Sequence, residues 1–163
     1  MDNEVKRRLF DVTVWTIGLL AGMALIAHEA MAEGMIASPT NERWKAECGS
    51  CHVAYPPALL PASTWRRLMS QLDRHFGVDA TVDPMAGAEI VRYLERYAGT
   101  ERRTTASTGS LRVTETRWFS HKHGEVPASI WRLPAVKSAS NCAACHTGAE
   151  QGDFRHHNIR IPR

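Results

Sequence analysis

The chain has 163 residues, 44% of them hydrophobic and 23% charged, which places it among folded rather than disordered proteins and allows one ordinary domain or two small ones. Its formal charge of +3 is too mild and too scattered to indicate a nucleic-acid partner. Its four cysteines could make two disulfides or hold one zinc ion, so their positions in the chain matter more than their number.

The N-terminus reads as an export signal. Lys6, Arg7 and Arg8 form a basic start, residues 12–27 an apolar run, and Ala30-Met31-Ala32 a small-x-small cleavage site. The expectation is a signal peptide over residues 1–32 and a mature chain beginning at Glu33, with 17 basic and 13 acidic residues left. An uncleaved membrane anchor is the rival, but the 16-residue run, broken by Thr13, Thr16 and Gly18, falls short of the roughly 20 residues that span a bilayer.

From Asn41 a short helix is expected over residues 42–48, capped by Thr40 or Asn41. It leads into Cys48-Gly49-Ser50-Cys51-His52, and Cys142-Ala143-Ala144-Cys145-His146 repeats that pattern near the other end. Each is a CxxCH motif: two thiols at this spacing can add to the two vinyl groups of one porphyrin, and the next residue offers an imidazole to its iron. The two copies use every cysteine, and neither zinc nor disulfides explain why a histidine comes directly after each pair. The cofactors expected are therefore two covalently bound haem c groups, attached at Cys48, Cys51, Cys142 and Cys145, with His52 and His146 as iron ligands.

Residues 54–61 carry three prolines in six positions, a stiff apolar connector suited to a haem edge. Ser63 is then expected to cap a helix with Trp65, Leu68, Met69, Leu72 and Phe76 on its buried stripe. His75 falls on that stripe and is the candidate sixth ligand; Met69 and Met85 are its competitors. Asp83-Pro84 opens a third helix with Ile90, Val91, Leu94, Tyr97 and Ala98 buried, Arg92, Glu95 and Arg96 solvated, and Gly99 ending it. Residues 101–110 are polar and read as a linker between an N-terminal unit, 33–100, and a C-terminal one, 111–163.

In the C-terminal unit a brief extended segment, Leu111-Arg112-Val113, precedes Trp118, Phe119, His121 and His123. One of the two histidines is expected as the second distal ligand, and spacing does not choose between them. Residues 126–134 are a proline-punctuated connector holding Trp131, and Ser140 or Asn141 should cap a short helix bearing the second motif. His156 and His157 in the tail are reserve ligands. Trp44, Trp65, Trp118 and Trp131 are expected to pack around the porphyrins.

These pieces together resemble the small bacterial dihaem cytochromes c. The resemblance runs through Cys48-x-x-Cys-His52-x-Ala-Tyr-Pro-Pro-x-Leu-Leu-Pro61 and Trp65-Arg-x-Leu-Met-x-x-Leu-x-x-His75-Phe-Gly-x-Asp79-Ala, then Thr114-Glu-Thr-x-Trp118-Phe, His123-x-Glu-Val126, Asn141-Cys-x-Ala-Cys-His146 and Ile159-Arg-Ile-Pro162. It implies a mostly α fold, with an N-terminal class I cytochrome c-like domain and a small loop-rich C-terminal haem domain. It also implies bis-histidine ligation at both irons, by His52 with His75 and by His146 with His123, the His-x-Glu-Val pattern selecting His123.

The resemblance further implies an electron-transfer protein; two histidines at each iron lead to an expected low potential, filled axial sites to no small-molecule substrate and no enzymatic role, and the export signal to the periplasm, with the protein expected to be a monomer. Its implied partners are a membrane b-type cytochrome and an oxygen-binding monohaem cytochrome of the SHP type. The alternative is a haem protein with one open axial site, acting as a peroxidase or gas-binding centre.

Overall fold

The computed structural model describes residues 38–104, 106 and 109–163, so the expected export signal and cleavage site lie outside the described residues. Among the described residues there are helices, turns and isolated bridges but no strand, and no helix is long and apolar enough to cross a membrane. The fold is mostly α, as expected.

Helix α1, Glu42–Cys48, starts where the Asn41 side chain accepts the Trp44 N–H at 2.7 Å. The same amide donates to Glu89 at 3.0 Å, so the cap also ties this helix to the third one. The proline connector then forms a 3-10 turn, Pro57–Leu59, that is buried together with Leu60 and Pro61. Prolines suit such a place because they bring no backbone N–H that would need a partner there. The Pro57 carbonyl accepts the Leu60 N–H at 3.4 Å and the Trp65 indole N–H at 2.7 Å.

Helix α2, Ala62–Met69, differs from expectation at both ends. Pro61, not Ser63, is its N-cap, and the Ser63 hydroxyl instead donates to Glu101 at 2.6 Å. The helix stops at Met69 rather than running through Phe76. A 3-10 turn, Leu72–Arg74, comes next, and Phe76 and Gly77 both take positive φ, 50° and 97°. Glycine adopts that conformation without a Cβ clash, so Gly77 favours a tight reversal over a continued helix. The reversal closes where Val78 N–H meets His75 O at 3.1 Å, leaving Phe76 45% exposed instead of buried.

Helix α3, Pro84–Arg96, begins as expected: Asp83 accepts the N–H groups of Met85 and Ala86, with Pro84 in the first turn. Its buried face is Ala86, Ile90, Tyr93 and Leu94, a helical i, i+4, i+7, i+8 stripe. Val91 and Tyr97 are half-buried, because the stripe is turned towards Trp44 of α1, whose ring lies 5.2 Å from that of Tyr93. The helix ends at Arg96, before Gly99. Gly99 serves a close approach instead: its N–H donates to Leu60 O at 2.9 Å, and a Cβ there would collide with the Ala58 carbonyl oxygen.

The core joins Leu59, Leu60, Trp65, Ile90, Tyr93 and Leu94 to Val113 from beyond the polar stretch. That stretch itself holds helix α4, Glu101–Thr104, with Thr104 and Ala106 buried. Residues 113–115, in part expected to be extended, form a 3-10 turn. Helix α5, Arg117–His123, starts where Thr116 Oγ1 accepts the Phe119 N–H at 3.2 Å. Helix α6, Ala128–Trp131, begins after Pro127. The second CxxCH lies on a single 3-10 turn, Cys142–Ala144, without a side-chain cap; Asn141 spends its amide on Val136 O at 3.1 Å rather than on a helix start.

Candidate functional site

At the first site, α1 ends on Cys48, and Cys51 and His52 lie in the turn beyond it. Burial pushes the Cys48 thiol up to about 11. The His52 Nδ1 lies 2.8 Å from Val53 O. A carbonyl can only accept, so Nδ1 carries the proton and Nε2 keeps its lone pair free for a metal. The turn after α2 brings His75 to His52, with ring centroids 6.2 Å apart and planes 19° from parallel. Burial, with help from His52 and Arg112, lowers the His75 pKa and favours the neutral imidazole that a metal needs.

At the second site, His123 at the end of α5 faces His146, again with centroids 6.2 Å apart, but with planes at 72°. The His123 Nδ1–H donates to Phe119 O at 3.0 Å, which again leaves Nε2 free. Burial lowers the pKa of both His123 and His146. The His146 Nδ1 is a buried side-chain nitrogen with no hydrogen-bond partner among the described residues. Burial also pushes the Cys142 thiol up to about 11, and no two of the four cysteines are joined in a disulfide.

These distances test whether haem fits. An imidazole nitrogen sits about 2.0 Å from a bound transition-metal ion, and the ring centre lies about 1.1 Å further on, so two imidazoles on opposite sides of one ion have centroids about 6.2 Å apart. Both histidine pairs meet that spacing. Among the described residues no group of three or more His, Cys, Asp or Glu is arranged to hold a bare metal ion. Two facing imidazoles beside a CxxC cysteine pair would suit a c-type haem, and they suit tetrahedral zinc poorly. Phe76 and Val78, 45% and 62% exposed next to His75, supply apolar surface for a porphyrin to cover.

The competitors are placed differently, although His156 is near enough to His146 to help lower its pKa. His121, His156 and His157 are exposed, and His157 lies 3.9 Å from Asp153. Met69 packs against the core, and Met85 is 83% exposed. Three contributors were not assigned a role from the sequence. Tyr55 stacks on His52 at 4.8 Å, Phe119 stacks on His123 at 4.0 Å, and the Arg112 guanidinium lies 4.2 Å from the centre of the Phe76 ring. Phe119 was within reach of a sequence argument, since it stands four residues before His123, but only once α5 is known to be a helix.

The chain is similar to known proteins. The family described as dihaem cytochrome c matches residues 44–154. A dihaem cytochrome c from Rhodobacter sphaeroides is 42% identical, with a TM-score of 0.63 over 71% of this chain and 97% of that one. The dihaem cytochrome type c of Shewanella baltica OS155 is 40% identical, with a TM-score of 0.65 over 77% of this chain and 95% of its own. A second Rhodobacter sphaeroides structure is 44% identical, with a TM-score of 0.61 over 72% of this chain and all of that one. No curated protein matches.

Proposed function

Since the chain belongs to the dihaem cytochrome c family and carries two covalently bound haem c groups for electron transfer, we propose that both irons are held by two histidines and work at low potential. His52 and His75 are the ligands at the first site, and His146 and His123 at the second. The observation that carries this reading is the 6.2 Å spacing found in both histidine pairs. When bound, haem supplies a one-electron couple, and two imidazoles hold it lower than an imidazole with a thioether.

The chain's own residues orient and shield. Val53 O and Phe119 O hold the Nδ1 protons of His52 and His123, so that each ring presents Nε2. The half-buried settings of His75, His123 and His146 favour neutral rings. With both axial positions filled by protein, no substrate has a place to bind, and the protein acts as a carrier and not as an enzyme.

The wider setting belongs to the same proposal. The protein works in the periplasm after removal of residues 1–32, as a monomer, with residues 33–100 and 111–163 each serving one haem. It passes electrons between a membrane b-type cytochrome and an oxygen-binding monohaem cytochrome of the SHP type. The support for this is the export-type N-terminus and the family resemblance. The test is an absorption spectrum of the purified holoprotein, oxidised and then reduced under carbon monoxide. Two low-spin haems that ignore carbon monoxide are expected; a high-spin band, or a carbon monoxide shift, overturns bis-histidine ligation in favour of an open site.

A further inference from the structure

The two histidine pairs share a spacing but not an orientation. The planes of His52 and His75 are 19° apart, whereas those of His123 and His146 are 72° apart. Besides the Trp131 ring, 6.0 Å away at 54°, two closer contacts restrain His123, and both come from one residue. Its ring lies on the Phe119 ring at 4.0 Å and 18°, and its Nδ1–H donates to the Phe119 carbonyl at 3.0 Å. Phe119 is itself fixed: it is buried, its N–H is held by Thr116, and its ring is 6.2 Å from that of Trp131. The four-residue separation on α5 is what sets one ring above the other. His146 is oriented independently, with Phe154 5.4 Å away at 58°.

We propose that Phe119 is a positioning residue that holds the His123 imidazole close to perpendicular to that of His146, and so makes the second haem site electronically unlike the first. The inference rests on bis-histidine ligation of both irons. An imidazole donates π density into the metal d orbital that lies across its ring plane. Two parallel rings raise the same orbital, so the two candidate orbitals split and the ferric hole settles in one of them. Two perpendicular rings raise one orbital each and leave the pair nearly equal in energy. Orbital angular momentum then stays unquenched, and the ferric signal becomes strongly anisotropic. Control of ring orientation by a neighbouring side chain is thus a way for the protein to tune a haem without changing its ligands.

Electron paramagnetic resonance of the fully oxidised holoprotein tests this. The expected spectrum has two low-spin ferric signals of equal weight, one rhombic from the first site and one strongly anisotropic from the second. Phe119→Leu keeps the backbone carbonyl and loses the ring, so the anisotropic signal should move towards the rhombic form while the other stays in place. Phe119→Tyr keeps the ring and should retain it. A purely structural Phe119 would lower the melting temperature in Phe119→Leu without moving either signal, and that result overturns the proposal. Two rhombic signals in the unaltered protein also overturn it, with bis-histidine ligation intact. A high-spin ferric signal would instead remove the reading on which it rests. The spectrum of the unaltered protein tests the angle even if a variant fails to fold.

Discussion

The Tyr55 hydroxyl donates a 2.7 Å hydrogen bond to the carbonyl oxygen of Ser140, 85 residues further along the chain. The Tyr55 ring also stacks on His52 at 4.8 Å and 24°, while Ser140 stands two residues before Cys142. One side chain therefore touches the imidazole of the first motif and holds the backbone that enters the second. Burial pushes its hydroxyl up to about 12, so it remains a protonated donor at any physiological pH.

Tyr55→Phe keeps the stack and deletes only the hydrogen bond. The expected cost is about 1 kcal/mol, which corresponds to a fall of a few degrees in melting temperature. Absorption of the two haems should be unchanged. An unaltered melting temperature would show that Ser140 is held by other contacts.

Removing each distal histidine should open one site. His75→Ala and His123→Ala are each expected to yield one haem that binds carbon monoxide in the reduced state and one that does not. His121→Ala, which alters an exposed residue two positions from His123, should leave the spectrum as it was. Carbon monoxide binding in the His121 variant, with none in the His123 variant, would reverse the assignment.

Gly99 tests the packing that carries the first site. An added methyl group would collide with the Ala58 carbonyl oxygen and lie 2.7 Å from Thr104 Cγ2, and the backbone there is held by the Leu60 carbonyl. Gly99→Ala should therefore destabilise the holoprotein by about 1–3 kcal/mol, the usual cost of overpacking. The urea unfolding midpoint measures it, and a midpoint equal to that of the unaltered protein would mean that the connector shifts freely.

Asp153 organises the loop after the second motif. It accepts hydrogen bonds from Asn158 and from the Arg155 guanidinium and backbone N–H, and the Arg155 bonds hold its carboxyl well below the usual range. A depressed folded-state pKa contributes stability that is fully present above the ordinary carboxylate value of about 4 and is lost as pH falls through the folded value. Asp153→Asn should thus melt below the unaltered protein at neutral pH, with the gap closing in strong acid. A gap that stays constant with pH would mean that the carboxylate's charge contributes nothing.

The sequence by itself determined the chemistry and the simplest local structure. Two CxxCH motifs specify covalent haem because thiol spacing and the adjoining imidazole are consecutive in the chain, and Asn41 and Asp83 mark helix starts because capping is a contact within three residues. Tertiary structure decided what meets those motifs. His75 was legible as a candidate, but for the wrong local reason: it reaches His52 through the reversal at Phe76 and Gly77, not on a helix stripe. His121 and His123 are equivalent by spacing. On α5 they point about 200° apart, and the burial of Phe119 decides which of them turns inward towards His146. The angle between the facing His123 and His146 rings goes with ring neighbours such as Phe119 and Phe154, and no periodicity in the chain encodes it.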